Sequence, residues 1–254
     1  MMGNSLTCGD CLEVMPEIAD KSIDMILCDL PYGTTACSWD TIIPFEPLWE
    51  QYKRIIKDNG AIVLTASQPF TSKLVMSNLD MFKYEWIWEK EQGTNQMLKD
   101  IAPLKIHENV LVFGKKRIKY NPQFTKARSI VTKRKGVIDK ITGTDLKDYQ
   151  YNNYGRSYPT TVIYAKRDLS NRFHPTQKPV SLFEYLIKTY TNKGDTVLDN
   201  CAGSGTTGVA CKNLNRKFIL IEKEQKHILP ICSVVEFFIL NFLYQNPILI
   251  LSEA

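Results

Sequence analysis

Short apolar runs alternate with longer amphipathic runs along most of the chain. Strand-like runs are SLTC, IDMILC, GAIVLTA, YEWIWEK, ENVLVFG, DTVLDNC and KFILIE, and helix-like runs are PLWEQYKRIIKD, FTSKLVMSNL, PVSLFEYLIKTYT and about 205–214. Strands that alternate with helices predict an α/β fold, with a mostly parallel, twisted sheet covered on both faces. No helix separates YEWIWEK from ENVLVFG, which predicts an antiparallel edge hairpin.

The basic charge of the chain is concentrated in one central segment. The 254 residues carry a net charge of +5, but residues 115–167 alone hold 14 Lys and Arg against 3 Asp and Glu. Tyrosines and Phe124 are interleaved with these cations, a pattern that suits phosphates and bases. A solvated insertion is the equal alternative. We predict one domain over residues 1–226 with an insertion at about 115–167.

The C-terminal segment, 227–254, is nearly all apolar and therefore atypical of the rest. Pro230, Glu236, Asn241 and Pro247 interrupt it, so it is a poor membrane span. It is expected either to be buried against the core or a partner subunit, or to be a replaced end that arose from a reading-frame change. The second interpretation is slightly favoured. Seven irregularly spaced Cys and no leader peptide at the start predict a reducing, cytoplasmic compartment.

A glycine-rich loop follows the strand that ends at Asp199. Gly203-Ser204-Gly205 precedes a helix, whose first N–H groups and positive dipole end favour a bound ligand. Glu222 ends the next strand about 20 residues later, where an acid accepts hydrogen bonds from ribose hydroxyls. A nucleoside cofactor is therefore predicted. The loop is not a P-loop because Val209 follows Gly208, whereas the G-x-G-x-x-G pattern of NAD sites fits it literally.

The segment Asp29-Leu30-Pro31-Tyr32 follows the strand IDMILC and combines an acid, a rigid turn and an aromatic ring. Together with DNCAGSGTT, it resembles the motifs of amino-methylating DNA methyltransferases that use S-adenosyl-L-methionine. The catalytic motif precedes the glycine loop by about 170 residues, an order similar to that of the β class, a circularly permuted Rossmann-like methyltransferase fold. FHPTQKPVSLFEYLI and LTCGDCLEVM resemble further cofactor motifs. Leu30 departs from the family, in which Pro is more usual.

The resemblance implies the following site residues. The catalytic residues are Asp29, Leu30, Pro31 and Tyr32, and the cofactor-binding residues are Asp10, Asp29, His174, Thr176, Gln177, Lys178, Asp199, Ala202, Gly203, Gly205, Thr206, Thr207 and Glu222. The DNA-binding residues expected in the basic segment are Lys115, Lys116, Arg117, Lys133, Arg134 and Lys135. Helix capping is the alternative role of Asp10, and surface solvation that of Lys178.

The chemistry implied is methyl transfer to an exocyclic amino group. Asp29 accepts one amino proton, the carbonyl oxygen of Leu30 or Pro31 accepts the other, and Tyr32 stacks on a base rotated out of duplex DNA. Neither a metal nor a nucleophile is required; the Pro-Cys pair of carbon-methylating enzymes does not occur. Cys8-x-x-Cys11 as a redox pair or half a zinc site is the weaker alternative.

An Asp at the head of the motif favours adenine as the target. Cytosine amino methylation, methylation of RNA or protein glutamine, and a DNA-binding module without catalysis stay open as alternatives. Double-stranded DNA is the expected partner, with no membrane. A cognate restriction endonuclease and a homodimer are further partners to test.

Overall fold

The computed structural model describes residues 3–35, 37, 40–138, 145–166 and 177–235. They divide into two compact units, of which the smaller is Pro122–Thr160. The elements in chain order are β1 (Ser5–Cys8), α1 (Cys11–Val14), β2 (Ile23–Cys28), α2 (Phe45–Ile55), β3 (Ile56–Ala66), α3 (Phe70–Met76), β4 (Phe82–Thr94), β5 (Lys105–Phe113), β6 (Thr125–Lys126), β7 (Val131–Arg134), β8 (Val137–Ile138), β9 (Asp145–Leu146), β10 (Tyr149–Asn152), β11 (Arg156–Ser157), β12 (Val162–Tyr164), α4 (Val180–Tyr190), β13 (Thr196–Asp199), α5 (Thr206–Asn213), β14 (Lys217–Glu222) and α6 (Gln225–Val234).

The larger unit is built on a single eight-stranded sheet in the order β1-β14-β13-β2-β3-β5-β4-β12. Neighbouring strands of this sheet are parallel, with the exception of β5, which runs antiparallel to both β3 and β4. The prediction of a mostly parallel α/β sheet with an antiparallel hairpin is therefore confirmed. The hairpin is not at the edge, however, because the short strand β12 pairs with the outer side of β4.

The sheet is buried on both faces, which explains why its central strand reads as an uninterrupted apolar run. Every residue of β2 is buried. Because successive strand side chains point to opposite faces, Met25 and Leu27 pack on the side of α4, α5 and α6. Ile26 and Cys28 pack on the side of α1, α2 and α3. Two apolar layers thus hold the strand ends in fixed positions.

The smaller unit contains three two-stranded antiparallel pairs, β7 with β10, β6 with β11 and β8 with β9. Arg156 lies over the ring of Phe124 at 4.9 Å, and Phe124 contacts Tyr158 edge-on at 4.8 Å between ring centroids. This unit falls within the predicted insertion at about 115–167 and is shorter than it at both ends.

The segment that begins at residue 227 packs into the core as far as residue 235. The core on the α4–α5 side includes three buried residues of α6, Ile228, Ile231 and Cys232. It also includes Val235, the residue that follows α6. The predicted domain boundary at 226 is therefore corrected to include this helix. Residues 236–254 lie outside the described residues. For them, burial against the core or a partner and a replaced end both stay predictions.

Candidate active site

The predicted site residues meet at one edge of the sheet, where the carboxyl ends of the parallel strands lie. Asp29 follows β2, Asp199 ends β13 and Glu222 ends β14. The chain crosses from β2 to β3 in one direction and from β13 to β14 in the other, so the crevice between β2 and β13 is a topological switch point, where α/β sheets bind ligands. A cavity of about 510 Å³ opens there.

The cavity is lined mainly by residues from the two predicted motifs and from β4 and β5. Among them are Asp10, Asp29, Leu30, Pro31, Tyr32, Trp88, Lys90, Thr94, Glu108, Gln177, Lys178, Asp199, Ala202, Gly203, Thr206 and Glu222. The structure therefore brings the catalytic and cofactor motifs together across about 170 residues of sequence. His174 and Thr176 lie outside the described residues.

Asp29 is held by three side chains from three different parts of the chain. Its Oδ1 accepts a hydrogen bond from the Tyr32 hydroxyl at 2.8 Å and another from the Thr65 hydroxyl. Its Oδ2 lies 2.6 Å from the Lys178 ammonium. These partners fix the carboxylate in place and balance its charge. The carboxylate is therefore positioned to accept a hydrogen bond from a donor group of a substrate.

Tyr32 has a second role that the sequence did not indicate. Its hydroxyl donates to Asp29, and burial together with the Asp29 charge raises the tyrosine pKa well above its usual value, which keeps it a donor. One face of its ring stacks on Phe70, with centroids 5.1 Å apart. Stacking of a substrate base on Tyr32 stays a prediction, and it must use the part of the ring that Phe70 does not cover.

Lys178 is the centre of a buried chain of alternating charges. Its Nζ lies 3.6 Å from Glu108 Oε2, and Glu108 Oε1 lies 2.5 Å from Lys90 Nζ. Lys178 and Lys90 are only 7% and 6% exposed. Burial lowers the pKa of Lys178, but Asp29 and Glu108 outweigh burial and raise it above the ordinary lysine value. The ammonium is therefore charged at neutral pH, and surface solvation is excluded for this lysine.

The loop after Tyr32 is tied back by Asp40, the last residue of DLPYGTTACSWD. Its Oδ1 accepts from the Gly33 N–H at 2.8 Å, and its Oδ2 accepts from the N–H groups of Thr34 and Thr35 at 2.9 and 2.7 Å. Partial burial opposes the charge, but these hydrogen bonds outweigh it and lower the pKa of Asp40. The acid therefore anchors one wall of the cavity.

Glu222 stands at the end of β14, as predicted, and shapes the glycine loop. Its two oxygens accept from the N–H groups of Gly203 at 2.7 Å and Glu224 at 2.8 Å. Each carboxylate oxygen has a second lone-pair site, so the side chain still has acceptor capacity toward the cavity that it lines. This geometry fits an acid that accepts hydrogen bonds from vicinal hydroxyls.

The carboxylate of Asp199 stabilises the glycine loop by hydrogen bonds. It accepts hydrogen bonds from the Cys201 N–H at 3.1 Å and from the Thr207 hydroxyl. Burial, its largest influence, raises the pKa of Asp199 to about 6. Thr207 is fully buried and is not among the described residues that line the cavity, so this bond supports Asp199, and contact of Thr207 with a cofactor stays a prediction.

The two glycines of the loop serve different purposes. Both have left-handed backbone angles, with φ of +53° at Gly203 and +76° at Gly205. A Cβ at Gly203 would meet nothing nearer than the Cys201 carbonyl oxygen at 3.8 Å, whereas a Cβ at Gly205 would meet Ile231 at 3.1 Å. Gly203 therefore leaves the cavity open, and Gly205 lets α6 pack against α5. Contact of Gly205 with a cofactor stays a prediction.

Asp10 performs the role of helix cap and also lines the cavity. Its side chain accepts from the Leu12 N–H at 2.9 Å at the start of α1 and pairs with Lys223 at 3.0 Å. Both interpretations of this residue are thus compatible. Cys8 and Cys11 are free thiols, and the described residues contain no cluster of His, Cys, Asp and Glu suited to a metal ion.

The predicted DNA-binding residues are divided between the two units. Lys133 and Lys135 are exposed in the smaller unit, and Arg134 lies on β7, with its side chain outside the described part. Lys115 and Lys116 follow β5, at the end of the sheet opposite the cavity. Lys115 donates to the Ile56 carbonyl oxygen at 3.2 Å, and Lys116 pairs with Asp58 at 2.9 Å. The structure does not bring Lys115, Lys116 and Arg117 to the site.

Comparison with known proteins gives consistent matches over most of the chain. Residues 23–231 match the N6_N4_Mtase family model, described as DNA methylase. The Type II methyltransferase M.HpaI of Haemophilus parainfluenzae is 28% identical, over 89% of this chain and 72% of that protein. The Type II methyltransferase M2.MboI of Moraxella bovis is 28% identical, over 85% of this chain and 81% of its own.

Solved structures show the same fold. The M1.HpyAVI–SAM complex has a TM-score of 0.62 at 24% identity and covers 90% of this chain and 98% of its own. The PvuII DNA methyltransferase, whose structure is described as cytosine-N4-specific, has a TM-score of 0.65 at 17% identity and covers 94% and 87%. Among the helices of the described ranges, none combines the length and apolarity of a bilayer span.

Proposed function

The chain belongs to the N6/N4 DNA methylase family, and from this membership we propose that it methylates the exocyclic amino group of an adenine at specific sites in duplex DNA. The family and the Type II relatives make it a site-specific DNA amino-methyltransferase that uses S-adenosylmethionine. The observation that carries the adenine proposal is Asp29, an anionic acceptor fixed at the cavity by Lys178, Tyr32 and Thr65.

The cavity fits the cofactor. Gly203 leaves room for close approach, Glu222 has lone pairs left for ribose hydroxyls, and Asp10 lies on the same wall. Seven carboxylate side chains line the cavity, which suits a sulfonium cation: Asp10, Asp29, Asp40, Glu108, Asp199, Glu222 and Glu224. When bound, S-adenosylmethionine supplies a methyl group already activated by the positive sulfur.

The residues of this chain address the difficulty of the reaction, which is that the amino lone pair is delocalised into the base ring. Asp29 accepts one amino proton, and the carbonyl oxygen of Leu30 or Pro31 accepts the other, so the nitrogen is drawn toward tetrahedral geometry. The same acceptors stabilise the positive charge that develops on the nitrogen. Pro31 keeps them aimed, because its φ angle is fixed.

Lys178 holds Asp29 by a charge-assisted hydrogen bond and leaves the carboxylate with acceptor capacity. Asp29 acts as a hydrogen-bond acceptor in the reaction, and the proton of the methylated amino group is released to solvent after methyl transfer. A base held inside the cavity is shielded from bulk water, which strengthens these contacts.

Cytosine amino methylation is the second candidate, because the cytosine-N4-specific PvuII enzyme shares the fold. The test is incubation with isotope-labelled S-adenosylmethionine and duplex DNA, followed by digestion to nucleosides and chromatography. Label in N6-methyladenine supports the proposal, and label only in N4-methylcytosine overturns the choice of base. Sequencing of the methylated DNA then maps the recognition site. A companion restriction endonuclease and a homodimer stay predictions.

A further inference from the structure

A hydrogen-bond acceptor and a hydrogen-bond donor lie side by side at the wall of the cavity. Asp29 Oδ2 and Lys178 Nζ are 2.6 Å apart, and both residues line the cavity. The Asp29 side chain is 24% exposed and that of Lys178 is 8% exposed, so both groups are within reach of a molecule in the cavity but not of bulk solvent on other sides. The pair presents a fixed acceptor–donor pattern.

Lys178 has hydrogen-bond donors that its contact with Asp29 does not use. An ammonium has three N–H donors. Glu108 Oε2 lies 3.6 Å from Lys178 Nζ, longer than a hydrogen bond, and within the described part of the chain this buried oxygen has no hydrogen-bond partner. A small movement of the ammonium toward Glu108 satisfies that oxygen and frees part of the Asp29 carboxylate. Lys90, 2.5 Å from the other Glu108 oxygen, holds Glu108 in position for this exchange.

The two bases that carry a methylatable amino group share one edge. In adenine the amino group N6 is next to the ring acceptor N1, and in cytosine N4 is next to the ring acceptor N3. Guanine and thymine present the reverse order, a carbonyl oxygen next to a ring N–H. An acceptor beside a donor therefore matches adenine and cytosine, and opposes guanine and thymine by placing like groups together.

We infer that Lys178 is a specificity-determining residue that donates a hydrogen bond to the ring nitrogen beside the target amino group, while Asp29 accepts the amino proton. Glu108 and Lys90 act as positioning residues for Lys178. This inference rests on the proposed function, since it concerns the base within the same site. It assigns Lys178, which lies in the cofactor-like motif of the sequence, to the substrate base.

The experiment removes only the ring nitrogen. Synthetic duplexes carry the mapped site with adenine, 1-deazaadenine or 7-deazaadenine at the target position; if the mapped base is cytosine, 3-deazacytosine is used. 1-Deazaadenine keeps the amino group but lacks the acceptor beside it, and 7-deazaadenine is the matched control that keeps both. For the wild type and for Lys178→Met, we measure kcat/KM of methyl transfer to each duplex and the equilibrium Kd of each duplex.

Loss of a hydrogen bond to a charged donor is expected to lower kcat/KM of the wild type about 10- to 100-fold for 1-deazaadenine relative to 7-deazaadenine. In Lys178→Met the same comparison should give a ratio near one. Weaker base pairing of 1-deazaadenine affects both proteins equally, so the ratio between the proteins isolates the contact. Glu108→Gln should keep the wild-type discrimination in part, because Lys178 is still present.

An equal penalty in the wild type and in Lys178→Met, or no penalty in the wild type, overturns the inference while methylation of the natural base leaves the proposed function intact. The wild-type comparison requires no variant, so the inference can be tested even if Lys178→Met does not fold. Absence of methyl transfer to every natural duplex instead contradicts the proposed function itself.

Discussion

At the residue scale, the charge of Asp29 is the feature on which methyl transfer depends. Asp29→Asn keeps the shape of the side chain but removes the anion that faces the amino group. We expect the single-turnover rate to fall about 100- to 1000-fold, or roughly 3–4 kcal/mol, as when one aimed polar group is removed from a comparable site. The cofactor Kd measured by calorimetry should change little. Turnover near that of the wild type would contradict the catalytic assignment.

Asp199 gives the fold a pH dependence of its own. Burial raises its pKa to about 6 from 3.8, so the folded protein holds this proton more tightly than the unfolded chain does. The associated stability is present below pH 4 and is lost as the pH rises through 6. A shift of about two units corresponds to about 3 kcal/mol.

The corresponding test compares the wild type with Asp199→Asn, which has no titrating group at this position. We expect the free energy of unfolding of the wild type, minus that of the variant, to decrease by about 3 kcal/mol between pH 4 and pH 7. Urea denaturation of the cofactor-free proteins at several pH values measures it. All other titrating groups cancel in the difference, and a difference that is constant with pH would show that Asp199 is not shifted.

The residues that follow strands could be predicted from the sequence, and those that meet across the fold could not. Asp29, Asp199 and Glu222 each stand at a strand end, where local pattern and glycine spacing reveal them. Glu108 begins the run ENVLVFG and Lys90 ends the run YEWIWEK, so the only visible signal of each is a charge at the end of an apolar run. Their importance depends on Lys178, which the sequence separates from Asp29 by 149 positions.

At the element scale, the glycine loop and α6 offer a matched pair of substitutions. Gly205→Ala and Gly203→Ala each place a side chain in the left-handed region, which costs roughly 1–2 kcal/mol. Only at Gly205 does the new Cβ also meet Ile231, at 3.1 Å. We expect thermal melting to show the larger loss of stability for Gly205→Ala. Calorimetry should show the larger loss of cofactor affinity for Gly203→Ala, and the reverse order would contradict the separate roles.

The exposed β7 strand of the smaller unit is the element expected to contact DNA phosphates. Replacement of Lys133, Arg134 and Lys135 by Ala should reduce the slope of log K against log salt concentration by about 0.9 for each phosphate that the protein no longer neutralises. Fluorescence anisotropy with a labelled duplex measures this slope. The control is Lys115→Ala with Lys116→Ala, at the opposite end of the sheet from the cavity, for which the slope should not change. Equal slopes for the β7 variant and the wild type would show that this strand is solvated surface.

Element prediction succeeded where the environment is uniform and failed where it is not. The runs SLTC, IDMILC and KFILIE match β1, β2 and β14 at both ends. The strands β2 and β14 are buried along nearly their whole length and therefore have sharp apolar boundaries. The strand β12 was missed because its three residues are too few for a pattern, and two of them are exposed. The helix α6 could not be recognised from its pattern, because this part of the chain is nearly all apolar and contains Pro230.

At the scale of the whole molecule, α6 determines how far the chain can be shortened. A chain that ends at Lys226 lacks Ile228, Ile231, Cys232 and Val235, each buried in the core. Burial of an apolar side chain of this size contributes about 1.5–3 kcal/mol. We expect this truncation to abolish cooperative unfolding or to lower the melting temperature strongly.

The matched control ends at Val235 and keeps all four side chains. Its melting temperature should exceed that of the shorter chain by a wide margin, as measured by circular dichroism. If both truncations melt together with the full chain, α6 is not part of the core and the replaced-end interpretation applies from residue 227 after all.

The pairing of β1 with β14 places the first strand of the described residues beside the last of them, with Ser5 opposite Ile219. Synthesis on the ribosome proceeds from the N-terminus, so β1 leaves the tunnel long before its partner is made. During that interval β2 and β3 can pair, whereas β1 and the adjoining Asp10 have no strand to join. The wall of the cavity that contains Asp10 and Glu222 therefore forms as a late, single step of folding, and a nascent chain cannot hold its cofactor before β14 has emerged.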